Sequence, residues 1–68
     1  MNVNLAEIRK TIVGGYISAA NAKRRRAVCE GARRALRALG LAWTDAEHIL
    51  QECVERAEWK IKFGEHAL

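Results

Sequence analysis

The stretch Ala38-Leu39-Gly40-Leu41-Ala42-Trp43-Thr44-Asp45-Ala46-Glu47 decides the fold. A glycine between two leucines is a common way to end an α-helix. Glycine enters the left-handed region without strain, and Leu41 is placed to fold back on the last turn. Four residues on, Thr44-Asp45-Ala46-Glu47 has the form of a capping box, and Asp45 suits the positive end of a helix dipole. Stop and start signals back to back predict one helix ending at Leu39, a short turn, and a new helix beginning at Asp45.

Downstream of the turn, Ala46, Ile49, Leu50, Cys53, Val54, Ala57 and Ile61 recur at spacings of three and four. This predicts a third helix over about 45–63, stopped by Gly64, with residues 65–68 expected to fray. Upstream, Val28, Ala32, Ala35, Leu36 and Leu39 form the stripe of a second helix over 22–39. Leu5, Ile8, Ile12, Tyr16 and Ala19 form that of a first over 4–20, with Asn4 as cap and Glu7 three residues later. At about 100° per residue the first two stripes face opposite ways on a continuous helix. A break at Asn21, a residue that both ends and caps helices, resolves the conflict. The alternative is one long helix to Leu39 whose second side is covered by a partner chain. Gly14 and Gly15 fall inside the first helix. They read either as a weak, bent segment or as a place where another backbone comes close, at a cost of about 2 kcal/mol for the pair relative to alanine.

Nothing alternates with period two for long, and the sequence holds no proline. The fold class is therefore all-α, two to three helices in a single domain spanning 1–68. Half of the 68 residues are apolar, yet a chain this short buries only about 60% of its unfolded surface. Closing a core and enclosing an active-site pocket compete at this size. The expectation is a binding or regulatory module, not an enzyme, with no cofactor, and a helical homodimer whose interface adds the burial one chain lacks.

The net charge of +4 is unevenly spread. Residues 1–40 carry nine Lys and Arg against Glu7 and Glu30, and residues 41–68 carry three against six acids. On the second helix Lys23, Arg26, Arg33, Arg34 and Arg37 project opposite the apolar stripe, and Arg24 and Arg25 extend the patch. Glu30 lies one turn from Arg26, Arg33 and Arg34, at ion-pair spacing. Such a face is solvated and self-paired, or meets an acidic protein, or meets nucleic acid. No aromatic residue interleaves with the arginines to stack on bases. A DNA-reading helix-turn-helix would place the helix after the turn in the major groove. Here that helix carries Asp45, Glu47, Glu52, Glu55 and Glu58, which phosphates would repel. The position four before the turn glycine, usually small, is Leu36. Nucleic-acid binding would therefore fall to the second helix.

Cys29, Cys53, His48 and His66 have no metal-ligand spacing, so no metal site is expected. The two thiols read as small core-filling side chains and His48 as solvated. A Cys–His nucleophile would need an acyl pocket that nothing here forms. No secretory leader and no run of about 20 apolar residues is present, which predicts a cytoplasmic chain with reduced thiols and no membrane partner.

The most informative pair is Trp59 and Phe63, four apart on the third helix and about 150° away from its apolar stripe. Arg56 and Glu52 flank them. Large aromatics on an outward face are costly to leave wet, and Trp and Arg are enriched at interface hot spots. These four residues are the candidate protein-binding site, unless the helix end turns inward or the first helix covers them. Tyr16 and Trp43 read as core.

The Ala/Arg-rich run MNVNLAEIRKTIVGGYISAANAKRRRAVCEGARRALRALG (residues 1–40), in a short helical chain without an enzymatic signature, resembles small early proteins of bacteriophages. It is similar in character to phage-encoded quorum-sensing anti-activators, small helical dimers that bind a host transcription regulator. The resemblance covers the chain's character and rests on no diagnostic motif, so no site residue is carried over. It implies a transcription regulator or similar protein as partner, and inhibition by binding.

Overall fold

A computed structural model describes residues 4–64. Three helices follow one another: α1 (Leu5–Ser18), α2 (Ala22–Ala38) and α3 (Trp43–Phe63). Each end has an identifiable cause. The Asn4 side chain accepts from the Ala6 N–H at 2.9 Å and caps α1. The chain then leaves the helix at Ala19, in an extended conformation. Asn21, fully extended, accepts from the Arg24 N–H at 2.9 Å and starts α2. The break at Asn21 is therefore real, and the first two stripes face one core instead of two.

α2 ends as the sequence predicts. Gly40 adopts a φ of 94°, and its N–H donates to the Arg37 carbonyl at 2.9 Å. Leu41 packs against the core.

The start of α3 departs from the capping-box reading. The helix begins at Trp43, two residues early. Ala42 occupies the cap position with no side-chain hydrogen bond, and the Ala46 N–H reaches the Ala42 carbonyl at 2.9 Å. Thr44 lies inside the first turn and caps nothing. The reason is a competition for Glu47: its carboxylate is held across the bundle by Arg33 instead of turning back on its own helix. Asp45 still lies in the first turn, where the dipole favours it.

Arg9 meets Glu52 and Tyr16 meets Glu58, so α1 and α3 run parallel. α2 runs antiparallel between their ends, with Arg33 opposite Glu47. The core is Ile12 of α1, Ala32 and Leu36 of α2, and Ala46, Leu50 and Cys53 of α3. Ile8, Val13, Cys29, Leu41, Ile49 and Val54 pack around it. Leu36 is fully buried at its centre. The small residues in this set let three helices approach closely around few large side chains. Gly15 shows the same economy: a Cβ there would lie 3.5 Å from a Val28 methyl, ordinary van der Waals contact. α1 passes unbroken through both glycines.

Three large stripe residues do not reach the core. Ile61 is 50% exposed, and Leu39 and Leu5 are also open to solvent. They sit at helix ends that extend past their neighbours, where 3.6-residue periodicity has nothing left to face. Ala35 is exposed as well. Residues 65–68, expected to fray, lie outside the described residues. No helix among those described is long and apolar enough to cross a membrane.

Candidate functional site

Because α3 buries Ala46, Leu50, Cys53 and Ala57, its opposite side is turned outward. Trp59 and Phe63 sit on that side at 58% and 51% exposure. Their ring centroids are 5.1 Å apart, with the planes tilted by 43°, a favourable aromatic pairing. The Lys62 ammonium lies 5.7 Å from the Phe63 ring centroid. Neither the helix end nor α1 covers the pair.

A shallow depression beside the pair is lined by Glu52, Glu55, Arg56 and Trp59. Arg56 is exposed there and makes no ion pair among the described residues. Glu52 has a different task from the one its position suggested. Arg9 of α1 binds one of its oxygens, and His48 Nε2 lies 3.5 Å from the other. It fastens α1 to α3 beside the aromatics, and is not a free flank of them.

Tyr16 is buried, as read, and donates its hydroxyl to Glu58 at 2.9 Å. Burial, and then the Glu58 carboxylate, push its pKa above the ordinary value. Trp43 is not core. It is 56% exposed, and the Arg33 guanidinium lies over its ring at 5.5 Å. Sequence spacing placed Trp43 in the turn. The early start of α3 instead puts it on the outer rim, beside the Arg33–Glu47 pair. Glu47 holds the Arg33 proton more tightly than usual.

The seven cations of α2 divide into two groups. Arg33 pairs with Glu47, Arg37 donates to the Leu41 carbonyl at 3.2 Å, and Arg25 lies 5.9 Å from the Tyr16 ring centroid. These three fold back on the bundle. Lys23, Arg24, Arg26 and Arg34 are exposed and make no ion pair among the described residues. Glu30 does not pair with Arg26, Arg33 or Arg34, because Arg33 is taken across the bundle and the other two extend into solvent. The basic face is therefore neither self-paired nor intact.

Both cysteines are free thiols, Cys53 buried and Cys29 half-buried. Burial raises both pKa values, which disfavours the nucleophilic thiolate. His48 is exposed, and His66 lies outside the described residues. No three His, Cys, Asp or Glu side chains converge among those described.

One feature has no counterpart in the sequence reading. A groove of about 570 Å³ runs between α1 and α3, lined by Arg9, Lys10, Val13, Gly14, Ile17, Glu52, Cys53, Arg56 and Lys60. Gly14, on its edge, has no atom of the protein within 4 Å of where a Cβ would stand, so the close backbone approach read from the glycine pair does not occur there.

Comparison with protein-family models, curated proteins and solved structures found no match for this chain.

Proposed function

We propose that this protein is a small helical protein-binding module. It docks the Trp59–Phe63 face of α3 on another protein and inhibits or modulates that protein by covering its surface. The phage anti-activator resemblance makes a regulatory protein, such as a transcription regulator, the expected class of partner. The observation that carries the reading is the aromatic pair itself. Two large rings are half exposed, packed against each other at a tilt and turned away from the buried face of α3. Covering each would contribute about 2 kcal/mol or more. Arg56, free beside them, supplies a donor and a cation for the rim or for stacking. Homodimerisation belongs to the same proposal. Leu5, Leu39, Trp43, Trp59, Ile61 and Phe63 all remain open on a chain of 68 residues, which is more apolar surface than so small a core can cover.

The second reading is nucleic-acid binding by α2, favoured by the exposed group Lys23, Arg24, Arg26 and Arg34. One experiment separates the two. Tagged full-length protein captures partners from a lysate of its source organism, with and without nuclease, at low and high salt. The protein-binding reading expects a partner that survives nuclease and 0.5 M salt and is lost with Trp59→Ala. Capture that disappears with nuclease, falls steeply with salt and depends on Arg24, Arg26 and Arg34 would replace it with the second reading.

A further inference from the structure

The groove between α1 and α3 has a floor and a rim of different character. Val13, Ile17 and Cys53 give it an apolar floor, and Gly14, exposed, leaves the backbone of α1 bare at its edge. A Cβ added at Gly14 would meet nothing within 4 Å. That position opens to solvent at the edge of the groove. Around it stand Arg9, Lys10, Arg56 and Lys60, with Glu52 as the single acid. Arg9 is paired with Glu52. Lys10, Arg56 and Lys60 make no ion pair among the described residues. An apolar trough is thus bordered by three cations that the bundle does not neutralise.

The dimensions suit a helix. From Arg9 to Ile17 the groove follows eight residues of α1, about 12 Å. Apolar anchors at i, i+4 and i+7 of an incoming helix span about 10 Å, which fits that length. Charge decides which helix. A basic helix would be repelled by Lys10, Arg56 and Lys60, whereas acidic side chains flanking apolar anchors would meet all three. Arg56 borders both the groove and the depression beside Trp59, so the two surfaces are continuous.

We infer that the α1–α3 groove is a docking site for an acidic amphipathic helix of the partner protein, its apolar side chains laid past Gly14 onto Val13, Ile17 and Cys53 and its carboxylates on Lys10, Arg56 and Lys60. The inference deepens the protein-binding reading and rests on it for the existence of a partner. It moves the centre of recognition from the aromatic ridge into the adjoining groove.

Gly14 provides a test that spares the fold. Gly14→Leu adds a bulky side chain at the edge of the groove, where a Cβ meets no atom of the protein, and it replaces a poor helix former inside α1, so melting temperature holds or rises. The probe is a fluorescein-labelled, end-capped helical peptide with leucines at i, i+4 and i+7 and glutamates on either side. Its control has every glutamate replaced by lysine. Fluorescence anisotropy with the full chain is expected to give salt-sensitive binding of the acidic peptide, at least tenfold tighter than the basic one. Gly14→Leu is expected to weaken it at least tenfold, and Lys10→Glu with Lys60→Glu to invert the preference, with circular dichroism unchanged. Equal binding of both peptides, or unchanged binding to Gly14→Leu, overturns the inference. So does a wild-type dimer that Gly14→Leu converts to a monomer, since a second copy would then occupy the groove. If the peptide fails while Trp59-dependent capture of a protein persists, the groove is wrong and the protein-binding reading stands. If both fail, both are wrong.

Discussion

Replacing Tyr16 by phenylalanine isolates the contact that ties the C-terminal ends of the parallel helices α1 and α3. The ring stays buried and keeps its packing, so only the 2.9 Å hydrogen bond to Glu58 is lost. A hydrogen bond to a charged group contributes about 1.5–3 kcal/mol. Glu58 is exposed and returns to water when released, which brings the expected loss to about 1 kcal/mol. In a domain of this size that lowers the melting temperature by about 4–8 °C. The pH dependence gives a second readout. Burial and Glu58 raise the Tyr16 pKa above its ordinary value of 10.0, so the folded state holds the proton more tightly than the unfolded state. The stabilisation is therefore complete below pH 10, and it disappears as pH rises through the raised value. Thermal unfolding of both proteins, followed by circular dichroism from pH 7 to 11, measures the difference between them. Subtracting the variant removes the part due to the two thiols. That difference should stay level to about pH 9 and then shrink. Equal melting temperatures at pH 7, or a difference that grows with alkalinity, would refute the reasoning.

Leu36→Ala empties the one large side chain that is fully buried among the described residues. It should cost about 2–5 kcal/mol, a large part of the stability of such a chain at about 0.05–0.15 kcal/mol per residue. Urea unfolding checks this, and a midpoint close to wild type would mean that the core lies elsewhere. Thr44→Ala should change stability by less than about 0.5 kcal/mol, since Thr44 makes no cap and alanine is the better helix former. A loss of 1 kcal/mol or more in the same assay would restore the capping box.

Most of the fold was legible because its signals are local. Asn4, Asn21 and Gly40 each act within four residues of themselves, and each does in the structure what its type and spacing imply. The capping box failed because its outcome is not local. Glu47 had a choice between the Thr44 backbone and Arg33, fourteen residues away, and a charged partner was the stronger attraction. The same pairing explains Trp43, drawn to the rim beneath Arg33 instead of into the core. The outward placement of Trp59 and Phe63 was readable because it follows from the phase of one helix. The α1–α3 groove was not, because it depends on how far apart two helices pack, and no periodicity within one helix encodes that distance. Likewise the basic patch read as one surface. Only the third dimension separates Arg25, Arg33 and Arg37, which contact other parts of the bundle, from the four cations that do not.

The central claim is that the Trp59–Phe63 face exists to be covered by another molecule. Trp59→Ala tests it most directly when one sample of the full chain is followed by circular dichroism, light scattering and partner capture. Trp59 contacts Phe63 but no core side chain is built on it, so helicity should be unchanged and stability lost by less than about 1 kcal/mol. Binding or dimerisation should disappear. A variant that unfolds as a monomer would make Trp59 an element of the core. A variant that stays folded, with wild-type oligomeric state and partner binding, would contradict the claim outright.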